Sequence, residues 1–108
     1  MECHFEIWIK YKPERKPLEP QKPLQLSILM FRSEMPCALS KGDAVDGLPG
    51  LGAVGDVVYS TWDFRKKRLI TRLKDQLHFT EEAHRGRINT MLWHGWTNIM
   101  EGNGGDRG

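Results

Sequence analysis

A glycine-punctuated loop running into a basic hairpin constrains this chain more than any other feature. Gly42, Gly47, Gly50, Gly52 and Gly55 lead into Val57-Val58-Tyr59-Ser60-Thr61-Trp62, then Arg65-Lys66-Lys67-Arg68, then Leu69 to Leu73. Two runs rich in β-branched and aromatic residues around a short polar link read as a β-hairpin. A lone hairpin is marginal in water, so other strands must cover one face. The opposite side is left as a charged ridge flanked by aromatics. The tip lacks Asn-Gly, which predicts a four-residue type I connection starting at Asp63. Val58, Trp62, Leu69, Thr71 and Leu73 are the expected inward residues.

Cys3 to Tyr11 alternate strictly. Cys3, Phe5, Ile7, Ile9 and Tyr11 fall on one side and His4, Glu6, Trp8 and Lys10 on the other, the pattern of a half-buried strand. Residues 12–23 hold Pro13, Pro17, Pro20 and Pro23 and no period, which predicts an extended connector. Leu24 to Phe31 is apolar at nearly every position, as expected of a strand buried on both faces. Pro36 should end it, and Gly42-Asp43-Ala44-Val45 is a candidate short strand.

The period changes after Phe79. Thr80 followed by Glu81 and Glu82 is a helix start, with a side-chain cap and acids at the positive end of the dipole. Ile88, Met91, Leu92, Trp96 and Ile99 recur at three- and four-residue steps and predict one apolar stripe. The order β-β-(β)-β-β-α, with a Leu-x-x-Gly-Asp-x-Val step at Leu39 to Val45, resembles the architecture of small SH3-like barrels. The expectation is an α+β domain over 1–101: a bent antiparallel sheet or small SH3-like barrel of four to six strands with one C-terminal helix. Residues 102–108, glycine-rich and polar, read as a disordered tail.

At 108 residues and 39% hydrophobic content the chain has room for one core. No apolar run approaches the roughly 20 residues that span a bilayer, and Met1-Glu2-Cys3-His4-Phe5 does not resemble a signal sequence. The expectation is a cytoplasmic protein without a membrane association. Cys3 and Cys37 have no metal-knuckle or disulfide spacing and are expected as reduced, buried thiols.

Several motifs fail on context. Gly50-Leu51-Gly52-Ala53-Val54-Gly55 spells G-x-G-x-x-G, but a dinucleotide fingerprint opens a helix and this one opens a strand. A small-ligand site under the loop 47–55 is the residual expectation. His4, His78, His84 and His94 include no i, i+4 pair, so no metal is expected. Cys37 has no neighbour that would activate it, and neither a catalytic residue nor a cofactor is assigned. Pro17-Leu18-Glu19-Pro20-Gln21-Lys22 fits a P-x-x-P-basic ligand and reads first as a stiff surface link.

Two binding surfaces stay open. The net charge of +2 is small, yet Arg65, Lys66, Lys67, Arg68, Arg72 and Lys74 fall within ten residues. Arg65, Lys66, Lys67, Arg68 and Arg72 are suited to a phosphate backbone, with Trp62 as a stacking plane for a nucleic-acid base. Four tryptophans supply the rival. Trp93, Trp96 and Met100 at the end of the helix offer more apolar area than one small sheet can hide, which points to a homodimer or capture of another protein. The leading expectation is a non-enzymatic binding or assembly protein acting through that Trp-rich surface, with the nucleic-acid module as the alternative.

Overall fold

The computed structural model describes residues 1–13 and 25–100. Most of the Pro-rich connector, including the P-x-x-P segment, and the glycine-rich tail lie outside the described residues. The described residues form an α+β fold with seven strands and one helix: β1 (Glu2–Tyr11), β2 (Gln25–Glu34), β3 (Ala44–Val45), β4 (Gly55–Asp63), β5 (Arg68–Leu73), β6 (Gln76–His78), α1 (Glu81–Trp93) and β7 (Thr97–Asn98). The sheet is open, in the order β3-β4-β5-β1-β2-β7, with β6 also against β1. It does not close into a barrel.

The neighbours β1–β2, β2–β7, β3–β4 and β4–β5 are antiparallel, as expected. The centre of the sheet is not. β5 and β6 lie parallel to β1, with Cys3 opposite Leu69 and Tyr11 opposite His78. An alternating pattern specifies which face of a strand is apolar but not the direction of its neighbour, so the parallel pairing is invisible to it.

Two single-residue irregularities decide which side chains face the core. On β4, Val57 pairs with Leu73 but Tyr59 pairs with Arg72, so Val58 is one residue too many. Val57 therefore turns inward and Val58 outward, at 41% exposure, against the sequence expectation. Beside β1, Cys3–Leu69 pairing becomes Ile9–Gln76 pairing, which inserts one residue near Lys74 and Asp75. That insertion flips the face: Leu69, Thr71 and Leu73 are buried, while Leu77 is exposed.

The core lies between the inner face of the sheet and α1. Cys3, Phe5, Ile7, Ile9 and Tyr11 supply the β1 row, joined by Leu29, Val57, Leu69, Leu73, Leu51, Met91 and Trp96. β2 is not buried on both faces as its composition suggested. Only Leu29 is fully buried, because Leu26, Ile28 and Met30 sit on the side of the sheet that bears Lys10, Trp8 and Glu6, away from α1.

The helix starts as expected, with the Thr80 hydroxyl accepting from the Ala83 amide at 3.1 Å. It ends earlier than its apolar spacing implied, at Trp93. Gly95, at φ +102°, reverses the chain, and the amides of Gly95 and Trp96 donate to the carbonyls of Leu92 and Met91 at 3.2 and 3.1 Å. This is a Schellman stop, which drives Trp96 back onto Met91 and into the core.

Candidate functional site

The hairpin tip is built as its residues dictate. Asp63 ends β4, and its Oδ1 accepts from the amides of Arg65 and Lys66 at 3.0 and 3.3 Å, holding a four-residue loop from Phe64 to Lys67. Lys67 closes the turn at φ 54°. Trp62 and Phe64 meet edge to face with ring centres 6.3 Å apart, and the Lys67 ammonium lies 5.6 Å from the Phe64 centre. Phe64 is 74% exposed and Trp62 40%. Arg65, Lys66 and Lys67 are exposed, and none has a carboxylate partner among the described residues. Rings and cations thus share one solvated tip.

Arg68 and Arg72 do not belong to that tip. Arg68 is half-buried at the hairpin base, 3.8 Å from an Asp63 oxygen, and its Nη1 donates to His4 Nδ1 at 3.1 Å. Because a guanidinium only donates and a carboxylate only accepts, the 2.6 Å contact between His4 Nε2 and Glu2 fixes the tautomer with the proton on Nε2. The hydrogen bond from His4 holds the Glu2 carboxyl below its ordinary value, with the charges of Arg32 and Arg68 adding to it.

Arg72 is spent further along the same face. Its guanidinium carbon lies over the Trp8 ring, 3.6 Å from the ring centre, and the group donates to Asp75 at 2.9 Å. Lys10 reaches the other Asp75 oxygen at 2.7 Å. Burial opposes the charge on Asp75, but the hydrogen bonds from Lys10 and Arg72 outweigh it and hold the carboxyl below its usual range. Burial likewise opposes the Arg72 cation, and Asp75 and Tyr59 more than offset it. Sequence reading missed both networks, since each joins strands whose register is set only in the folded chain. The one signal for them was the alternation of Glu2, His4, Glu6, Trp8 and Lys10 on the polar side of β1.

The Trp-rich surface is reduced. Trp96 is 3% exposed, donates its indole N–H to the Pro49 carbonyl at 2.6 Å and packs against Phe31, so it is core and not partner surface. Trp93 and Met100 remain outside, at 85% and 42%. The glycine loop is not hung loosely over a site. Leu51 plugs the core, Arg87 Nη1 donates to the carbonyls of Gly50 and Leu51 at 3.2 and 2.9 Å, and a Cβ on Gly50 would fall 2.9 Å from that of His94.

A depression of ≈ 360 Å³ is lined by this loop itself, among Asp46, Leu48 and Val54. Among the described residues no three metal-ligating side chains converge. Cys3 is a buried free thiol beside Thr71, its pKa raised by burial, whereas Cys37 is exposed and not the core thiol expected. No helix of the described residues is long and apolar enough to cross a membrane. No known protein family matches the chain, and no curated protein or solved structure matches it either.

Proposed function

We propose that this protein is a binding domain whose β4–β5 tip contacts single-stranded nucleic acid. The observation that carries the reading is the exposed Trp62–Phe64 pair set among Arg65, Lys66 and Lys67. An exposed aromatic pair costs solvation unless it finds a partner, and every base presents a face on which such rings stack, worth about 1–3 kcal/mol per base. Arg65, Lys66 and Lys67, without a carboxylate partner among the described residues, supply the sequence-independent term, counterion release from phosphates. The two free cysteines accord with a reducing, cytoplasmic setting.

Arg65, Lys66 and Lys67 replaced together by glutamine should leave the fold intact, because exposed charges contribute little to stability. Affinity for a mixed-sequence single strand should fall, and the salt slope should flatten by up to about 0.7 per lost contact. Phe64→Ala should weaken binding with little change in that slope. If the unmodified protein binds no oligonucleotide at low salt, the reading fails.

A second reading, self-association through the end of α1, is favoured by Trp93, whose indole is almost wholly in solvent. With Trp96 withdrawn into the core, that surface consists of Trp93 and Met100. A two-fold homodimer is the assembly it supports.

A further inference from the structure

A second cleft, of ≈ 260 Å³, opens between α1 and β6 and is lined by His78, Ala83, Gly86, Arg87 and Thr90. Its chemistry differs from that of the tip. Arg32, Arg68, Arg72 and Arg85 each have a carboxylate within ion-pair distance, respectively Glu2, Asp63, Asp75 and Glu81. Arg87 is half-buried and has none among the described residues, and no carboxylate lines the cleft. A cation removed from water without a counter-charge is costly.

The same place collects unsatisfied nitrogens. His78 Nε2, His84 Nδ1 and Arg87 Nε are all shut off from water without a hydrogen-bond partner among the described residues. His84 stands behind His78 with ring centres 6.3 Å apart, and Tyr11 of β1 backs it at 5.6 Å. Buried nitrogens without partners, the Arg87 Nε–H donor among them, beside an uncompensated cation describe half of an anion site.

We propose that the α1–β6 cleft binds a phosphoryl group, either inorganic phosphate or a phosphate monoester, with Arg87 as its counter-charge and His78 and Thr90 as flanking donors. The ligand seats as the His78 ring and the Arg87 fork, both lining the cleft, turn their unpartnered nitrogens toward it. A phosphate dianion suits the site better than a monoanionic carboxylate because a second negative charge can be met by a proton taken up on His78. In the unliganded protein burial, followed by the charge of Arg87, keeps His78 below its ordinary pKa, and burial together with His78 does the same for His84. The groups beside the pair are Tyr11 from β1 and Arg87 from α1, whose Nη1 is held by the Gly50 and Leu51 carbonyls. This site is independent of the hairpin tip: it lies beside Tyr11, whereas the tip adjoins Cys3 at the other end of β1.

Gly86 provides the test. A Cβ there meets nothing within 4 Å, so Gly86→Leu should fold and fill the cleft. The full chain is titrated with inorganic phosphate, glycerol 3-phosphate and acetate at fixed ionic strength, following the histidine ring signals by NMR. Saturable shifts of His78 with an upward move of its pKa are expected, lost by about tenfold or more in affinity in Gly86→Leu and in Arg87→Gln. Response to both phosphates assigns the phosphoryl group itself, and response to phosphate alone assigns the free ion. Should Arg87→Gln fail to fold for want of its loop contacts, Gly86→Leu decides. The proposal is overturned by no saturable response at millimolar phosphate, by an equal response to acetate, or by an unchanged response in Gly86→Leu. The glutamine triple variant at the tip should retain the phosphate response, so either site can fail alone.

Discussion

Gly86 and Gly95 are the same residue under opposite demands. Gly86 lies inside α1 with open space where a Cβ would stand, so Gly86→Ala should raise stability by up to about 1 kcal/mol through helix propensity. Gly95 stands at φ +102° in the helix stop, where a side chain is strained whatever the space, so Gly95→Ala should lower stability by about 1 kcal/mol. Urea unfolding of the two variants should give midpoints that move in opposite directions. Equal shifts would contradict the stop geometry. The thiols also separate at this scale: a thiol reagent should titrate Cys37 in the folded protein and Cys3 only after denaturation, since burial both covers Cys3 and raises its pKa. Fast reaction of both would place Cys3 outside the core. Nothing in Pro36-Cys37 distinguished an exposed thiol from a buried one, because exposure there depends on what packs over the loop.

Among elements, α1 against β6 carries the pH dependence. His78 and His84 are held below the ordinary 6.5, by burial first. The unfolded chain therefore binds more protons than the folded chain between that value and the lower folded ones. Stability should be level above neutrality and decline as pH falls through that window, before the loss tied to Asp75, which sets in as pH falls to about the ordinary 3.8 and runs down to its lower folded value. Urea midpoints at about pH 7.5 and about pH 5.5 test this, and His84→Phe should shrink the difference. A midpoint that rises on acidification would contradict the burial of these rings. The strands β1, β2, β4 and β5, the Thr80 cap and the four-residue tip were legible, each being a local pattern with a local cause, whereas β7 falls within the stripe that read as helix and β6 was not foreseen as a strand of its own. The irregularities at Val58 and near Lys74 and Asp75 were not legible. One extra residue in a run that still reads as strand leaves no mark in composition, yet it reverses the inward and outward order across it, which is how Val58, itself the extra residue, and Leu77, beyond the second insertion, came to face outward.

At the scale of the whole molecule, one face of the open sheet carries no helix among the described residues, and Trp93 stands clear of the core. If the end of α1 joins two copies, light scattering at micromolar concentration should give twice 12.5 kDa, and Trp93→Ser should return the mass to one chain without loss of fold. A single-chain mass in the unmodified protein would remove that reading. Trp96→Ala, by contrast, should unfold or destabilise the chain by about 3–5 kcal/mol, since it empties the core and orphans the Pro49 carbonyl. The amino-acid order alone determined the α+β class, the alternating β1 row, the basic tip with its Asp63 turn, and the start of the helix, because neighbouring residues decide each of these. Tertiary structure alone decided that β5 and β6 run parallel to β1, that Trp96 is core while Trp93 is surface, and that Arg68 and Arg72 are withdrawn while Arg87 stands without a carboxylate among the described residues. Those outcomes depend on pairings between residues dozens of positions apart, where register and packing, not local pattern, choose the partner.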